Sequence, residues 1–134
     1  MTKYLSQSTK VLSLFIMIFP SCLNLAGDSE NISIRTAYSP AKNEKAVLFT
    51  KEAGATGGIS YQISIVEKDH VLKKDDRGNV LIVDGNHGAR NLDSTSINFG
   101  WSGSDSLLID YDKTLRIFTQ ERRIGGVVII YRPR

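Results

Sequence analysis

A single cysteine, Cys22, leaves this chain without any internal disulfide, so its folded part must be held together by its core alone. Histidine is almost as scarce. Neither His70 nor His87 has a second ligand at the i+2 or i+4 spacing that sets two metal ligands on one element. The acids around them, Asp69, Asp75, Asp76, Asp84 and Asp93, fall in turn sequences where aspartate is ordinary. D-D-R-G-N (75–79) also lacks the alternating oxygen ligands and closing glutamate of a calcium loop. No metal and no cofactor is expected. The usual nucleophile signatures are missing too: there is no G-x-S-x-G elbow and no thiol beyond Cys22. Gly54-Ala55-Thr56-Gly57-Gly58 is glycine-rich, but it leads into a strand pattern and no Lys-Ser or Lys-Thr pair follows, which removes the phosphate-loop reading. These absences place an enzyme last among the function classes.

What is present begins with an export pattern. Lys3 and Lys10 precede the uncharged apolar run Val11 to Phe19, and Pro20-Ser21-Cys22 follows. A lipoprotein leader is cut just before a cysteine that follows a small residue, and Ser21-Cys22 meets that rule, although Phe19 and Pro20 depart from it. Cleavage near Ala26-Gly27 fits less well, because Asn24 or Leu25 stands where a small residue is wanted. A retained span fits worst: it needs about 20 predominantly apolar residues, and Pro20, Ser21 and Asn24 interrupt this stretch. The expected division is a signal peptide over 1–21, a tether over 22–31 and a domain over 32–134. Lipidation at Cys22, with palmitate-type acyl chains, would hold that domain to a membrane in the cell envelope, facing the periplasm or the exterior. The alternative is a soluble exported protein. Without Lys3 and Lys10 the formal charge of +3 falls to about +1, so the main support for nucleic-acid binding goes with the leader.

The rest reads as strands with no helical period. Ile59, Tyr61, Ile63 and Ile65 alternate with Ser60, Gln62 and Ser64, and Ile97, Phe99 and Trp101 alternate with Ser96, Asn98 and Gly100, which predicts strands with one wet face. Trp101 and Tyr131 are expected in the core. Ala46 to Phe49, Val80 to Val83 and Val127 to Tyr131 are apolar at successive positions, which predicts strands covered on both faces. Further strands are expected at Ile32 to Tyr38, Leu107 to Tyr111 and Leu115 to Ile124. The fold class is therefore all-β: a single antiparallel sandwich or curled meander of about eight strands. Gly125-Gly126 should close a hairpin that puts Ile124 opposite Val127 and Arg132 opposite Thr119, so that Arg122, Arg123, Arg132 and Arg134 do not share one patch. Asp112-Lys113 should close another. D-G-N-H-G (84–88) reads as a turn, and Asn31-Ile32-Ser33 matches a glycosylation acceptor.

Four segments, S-P-A-K-N-E-K-A-V-L-F (39–49), E-A-G-A-T-G-G-I-S-Y-Q-I-S-I (52–65), W-S-G-S-D-S-L-L-I-D-Y (101–111) and G-G-V-V-I-I-Y (125–131), resemble a family of small bacterial envelope proteins of unknown function. The resemblance implies an envelope location and a β-rich domain, and no activity. Many members carry a cysteine just before G-A-T; here Ala53 stands there, so no thiol serves that loop. The leading expectation is a non-enzymatic envelope lipoprotein that binds an unknown envelope protein. Gly54, Thr56, Gly57, Gly58 and Gln62, beside the expected wet face of Ser60 and Ser64, form the candidate surface. The alternative is an inhibitor or immunity-type protein acting on a cell-wall-active enzyme.

Overall fold

The computed structural model describes residues 30–52 and 57–134, and among these the chain forms nine strands and no helix. The strands are β1 (Asn31–Tyr38), β2 (Glu44–Glu52), β3 (Ile59–Glu67), β4 (Leu81–Asp84), β5 (Ile97–Trp101), β6 (Ser106–Tyr111), β7 (Arg116–Gln120), β8 (Arg123–Ile124) and β9 (Val127–Pro133). They make two sheets, β1-β2-β3-β4-β7 and β5-β6-β9-β8, that share one core. Alternate residues of five strands fill much of it: Ala46 and Leu48 from β2, Tyr61, Ile63 and Ile65 from β3, Ile97 and Phe99 from β5, Leu107, Ile109 and Tyr111 from β6, Val127 and Ile129 from β9. The all-β sandwich expected from the alternation is present.

Two of the three continuous apolar runs are covered on both faces as expected. Ala46 to Phe49 and Val80 to Val83 are all buried. In β9 the second face is open, with Ile130 43% exposed. The cover over β2 and β4 explains the first correction. The connection between β3 and β4 lies across the outer face of the first sheet, where Gln62 and Ser64 were expected to be wet; both are buried. Gln62 Oε1 accepts from Gly78 N–H at 2.7 Å, while Ser64 Oγ accepts from Asn79 N–H at 3.1 Å and donates to Arg77 O at 3.2 Å. Asn79 pairs its side chain with both Ile65 N–H and Ile65 O at 2.9 Å, standing in for a strand neighbour. Buried polar groups need such partners, so a polar phase in a strand can mark a covering loop as well as water.

Topology brings the second correction. The chain leaves β6 through an Asx turn in which Asp112 Oδ1 accepts from Thr114 N–H at 2.9 Å, but β7 then joins β4 in the opposite sheet, so Asp112-Lys113 closes no hairpin. The single strand expected from Leu115 to Ile124 is split: β7 belongs to one sheet and β8 to the other. Tyr131 marks the crossing, its hydroxyl lying 3.1 Å from Val80 O and 2.6 Å from Glu121 O. After the Gly125-Gly126 hairpin, in which Ile124 does face Val127, β9 runs parallel to β6. Arg132 therefore lies opposite Asp110 rather than Thr119, and the two form an ion pair at 2.6 Å.

The other side of the sandwich is fastened by side chains. Arg35 donates to Asn98 Oδ1 at 2.8 Å and lies 4.2 Å over the Phe99 ring, and half-buried Trp101 donates from Nε1 to Ala37 O at 2.9 Å. Asn31, expected in the tether, opens β1 instead. Its Nδ2 donates to Lys73 O at 2.6 Å and Asp76 O at 2.9 Å, which engages the nitrogen a glycan would need.

Candidate functional site

Cys22, Gly54 and Thr56 lie outside the described residues. Gly57 and Gly58 are exposed at the entrance to β3 and line an open cleft of about 850 Å³. Gln62 does not join them: it is 5% exposed, beneath Gly78, because the β3–β4 connection covers its face. The cleft is walled instead by Ile59 and Tyr61 of β3, Thr50 of β2, the end of β4, the 85–92 connection and the start of β7.

The 85–92 wall is a built turn. Asp84 Oδ1 accepts from Asn86 N–H at 2.8 Å, and Arg90 N–H closes onto Gly85 O at 2.9 Å. A Cβ on Gly85 would lie 2.2 Å from Arg90 O, so only glycine fits that crossing. Asn86, His87 and Gly88 follow with φ of 51°, 57° and 80°. Asparagine and glycine enter this left-handed region readily, histidine less so. His87 is set there facing Arg116.

Arg116 is the centre of the cleft. The β4–β7 register puts it opposite Asp84, and it donates from Nε to Asp84 Oδ1 at 3.0 Å and from Nη2 to Asp84 Oδ2. Its Nη1 lies 2.7 Å from His87 Nε2, and its guanidinium stacks 4.7 Å from the Phe118 ring centroid. A guanidinium has no lone pair to offer, so in this contact Nη1 donates and His87 Nε2 accepts. The Arg116 hydrogen bonds hold the Asp84 carboxyl below the usual carboxylate value, and Asp84 in turn raises Arg116. Arg90, also in the cleft, pairs with Asp112 at 2.7 Å and stays 56% exposed along its side chain. Burial, and then Asp93, pushes the Tyr61 phenol up.

His70 lies in a separate cavity of about 600 Å³ under the β3–β4 connection. It contacts Asp76 at 2.7 Å, and the same carboxyl accepts from Lys73 N–H at 2.8 Å. Lys51 Nζ donates to Asp76 O at 3.0 Å, so this cluster ties the connection down. Among the described residues no group of three or more His, Cys, Asp or Glu converges as a metal-ligand set. The arginines near the C-terminus are spread out: Arg132 pairs with Asp110, Arg134 donates to Thr95 O at 3.1 Å, and Arg123 sits on the short strand β8.

Sequence reasoning reached the Gly57-Gly58 rim, weighed His87 and Asp84 only as metal ligands, and missed Arg90 and Arg116. Nothing local announces that set. Asp84 meets Arg116 only because β7 crosses to the first sheet. No family model matches the chain, and neither a curated protein nor a solved structure matches it significantly.

Proposed function

We infer that this chain is an exported cell-envelope binding module, tethered to a membrane through a lipid on Cys22, which recognises an envelope protein through the cleft between Gly57-Gly58 and Arg116. The export pattern before Cys22 and the resemblance to small envelope proteins support the location. The observation that carries the binding role is the Asp84–Arg116–His87 chain. Both carboxylate oxygens of Asp84 are engaged and the carboxyl is held ionised by Arg116, so it serves as a strut for the guanidinium rather than as a base poised to take a proton. Rigid, prepaid side-chain geometry of this kind lowers the ordering cost of association. Ile59, 47% exposed, and Leu92 add apolar contact area beside the fixed charges.

The test is cross-linking in intact envelopes from a photoreactive residue at position 91, with and without Gly58→Arg. No heavy atom lies within 4 Å of a Cβ at Gly58, so a side chain can leave the backbone there, at the cleft mouth, into open space. One discrete cross-linked partner is expected from the parent and at least about tenfold less with Gly58→Arg, the loss of roughly 1.4 kcal/mol in binding. Undiminished cross-linking would remove the cleft from recognition. A partner that proves to be a cell-wall-active enzyme, and is blocked when bound, would make the module an inhibitor.

A further inference from the structure

We propose that the cleft holds an oxyanion site, in which Arg116, His87 and Arg90 receive a carboxylate or phosphate group carried by the ligand. The inference rests on the cleft being the recognition surface and adds the chemistry of what enters it. It follows from counting donors and acceptors. Three N–H groups of Arg116 are used, two on Asp84 and one on His87 Nε2, which leaves one hydrogen each on Nη1 and Nη2. With His87 Nε2 engaged by Arg116, Nδ1 is the ring nitrogen left to meet a ligand. Arg90 pairs with Asp112 through Nη2, and Asp112 does not line the cleft.

The carboxylate that lines the cleft is already engaged. Asp84 Oδ1 takes both Arg116 Nε–H and Asn86 N–H, and Oδ2 takes Arg116 Nη2–H. Two guanidiniums and the His87 imidazole thus line the same cleft as one carboxylate whose oxygens are both occupied. Thr50, Tyr61 and Asn91 add only neutral polar groups to the lining, so the charged groups with hydrogens left to give are the guanidiniums, whose planar edge matches the oxygens of carboxylate or phosphate. Arg116 is also fixed in advance, clamped by Asp84 and stacked on Phe118, so little side-chain freedom is lost on binding.

The experiment is a titration of the full-length, detergent-extracted protein with acetate and with inorganic phosphate, against chloride at matched ionic strength, read by ¹⁵N–¹H spectra. The expected result is saturable shifts of the 85–92 amides and of Arg116 Nε–H with at least one of the two oxyanions and none with chloride. Arg90→Gln and His87→Gly, which leave the Asp84–Arg116 pair in place, should each weaken binding several-fold to about tenfold, since one charge-assisted or neutral donor is lost. Unchanged core signals from Ile63 and Leu107 establish that both variants are folded. Tighter acetate binding would indicate a carboxylate ligand, and tighter phosphate binding a phosphorylated one. Non-saturable shifts shared with chloride, or saturation undiminished in both variants, would overturn the site. A partner blocked by Gly58→Arg with no oxyanion binding refutes only the anion site. Oxyanion binding with no partner at the cleft refutes only the envelope-partner reading.

Discussion

Gly78 shows how much one position can carry. A Cβ there would sit 2.9 Å from Gln62 Cβ and 3.0 Å from Leu81 O, so the β3–β4 connection can lie on β3 only because this residue has no side chain. Gly78→Ala should cost about 1–3 kcal/mol, the usual penalty for overpacking a closed contact, measurable as a lower urea midpoint with unchanged slope. Gly58→Ala, in open space, is the control. The hairpin glycines divide in the same way. Gly125 has φ +56° whereas Gly126 lies outside the left-handed region, so Gly125→Ala should cost about 1–2 kcal/mol and Gly126→Ala much less. From sequence the two glycines looked equivalent. Backbone sign is invisible in a Gly-Gly pair, and only the turn geometry assigns it.

Strand positions were legible because the side-chain period of two and the turn residues are local signals. All the expected strands exist, with only the Leu115 to Ile124 run divided. Partnership was not legible. A strand's alternation says which residues share a face and is silent on which sheet that face joins, so the crossing of β7 to β4 and the parallel pairing of β6 with β9 left no mark. The same blindness hid the candidate site. Asp84 and Arg116 are turn and strand-start residues with ordinary roles until β4 and β7 pair. Gln62 departs in the opposite direction: its polar phase predicts a wet side chain, and Gly78 lies over it. Among elements, then, the β3–β4 connection is the part most dependent on polar side chains, being held by Gln62, Ser64, Asn79, Asn31 and Lys51.

For the whole molecule, acid is the condition that tests these ties together. Hydrogen bonds hold four carboxyls below their ordinary value: from Arg116 at Asp84, from Lys73 N–H at Asp76, from Thr95 at Asp93 and from Thr114 at Asp112. A carboxyl with a depressed folded-state pKa contributes stability that is fully present above its unfolded value of about 4 and is lost as pH falls through the folded value. Urea midpoints should therefore be flat in this respect from pH 7 down to about pH 5 and fall steeply below about pH 4. Asp84→Asn should shallow that fall, since its carboxyl then no longer titrates. A midpoint independent of pH over the acid range would show that these contacts do not form in solution.

Two sheets over one core, fastened at β1–β5 and at Tyr131, carry the cleft at one end of β3 and β4. Its proposed place at a membrane surface depends on Cys22. The most direct measurement is the intact mass of the protein extracted from the envelope, beside Cys22→Ala. A chain beginning at Cys22 and carrying acyl groups, lost in the variant, is the predicted result. An unlipidated chain beginning near Gly27, or an unprocessed one beginning at Met1, would contradict the tether.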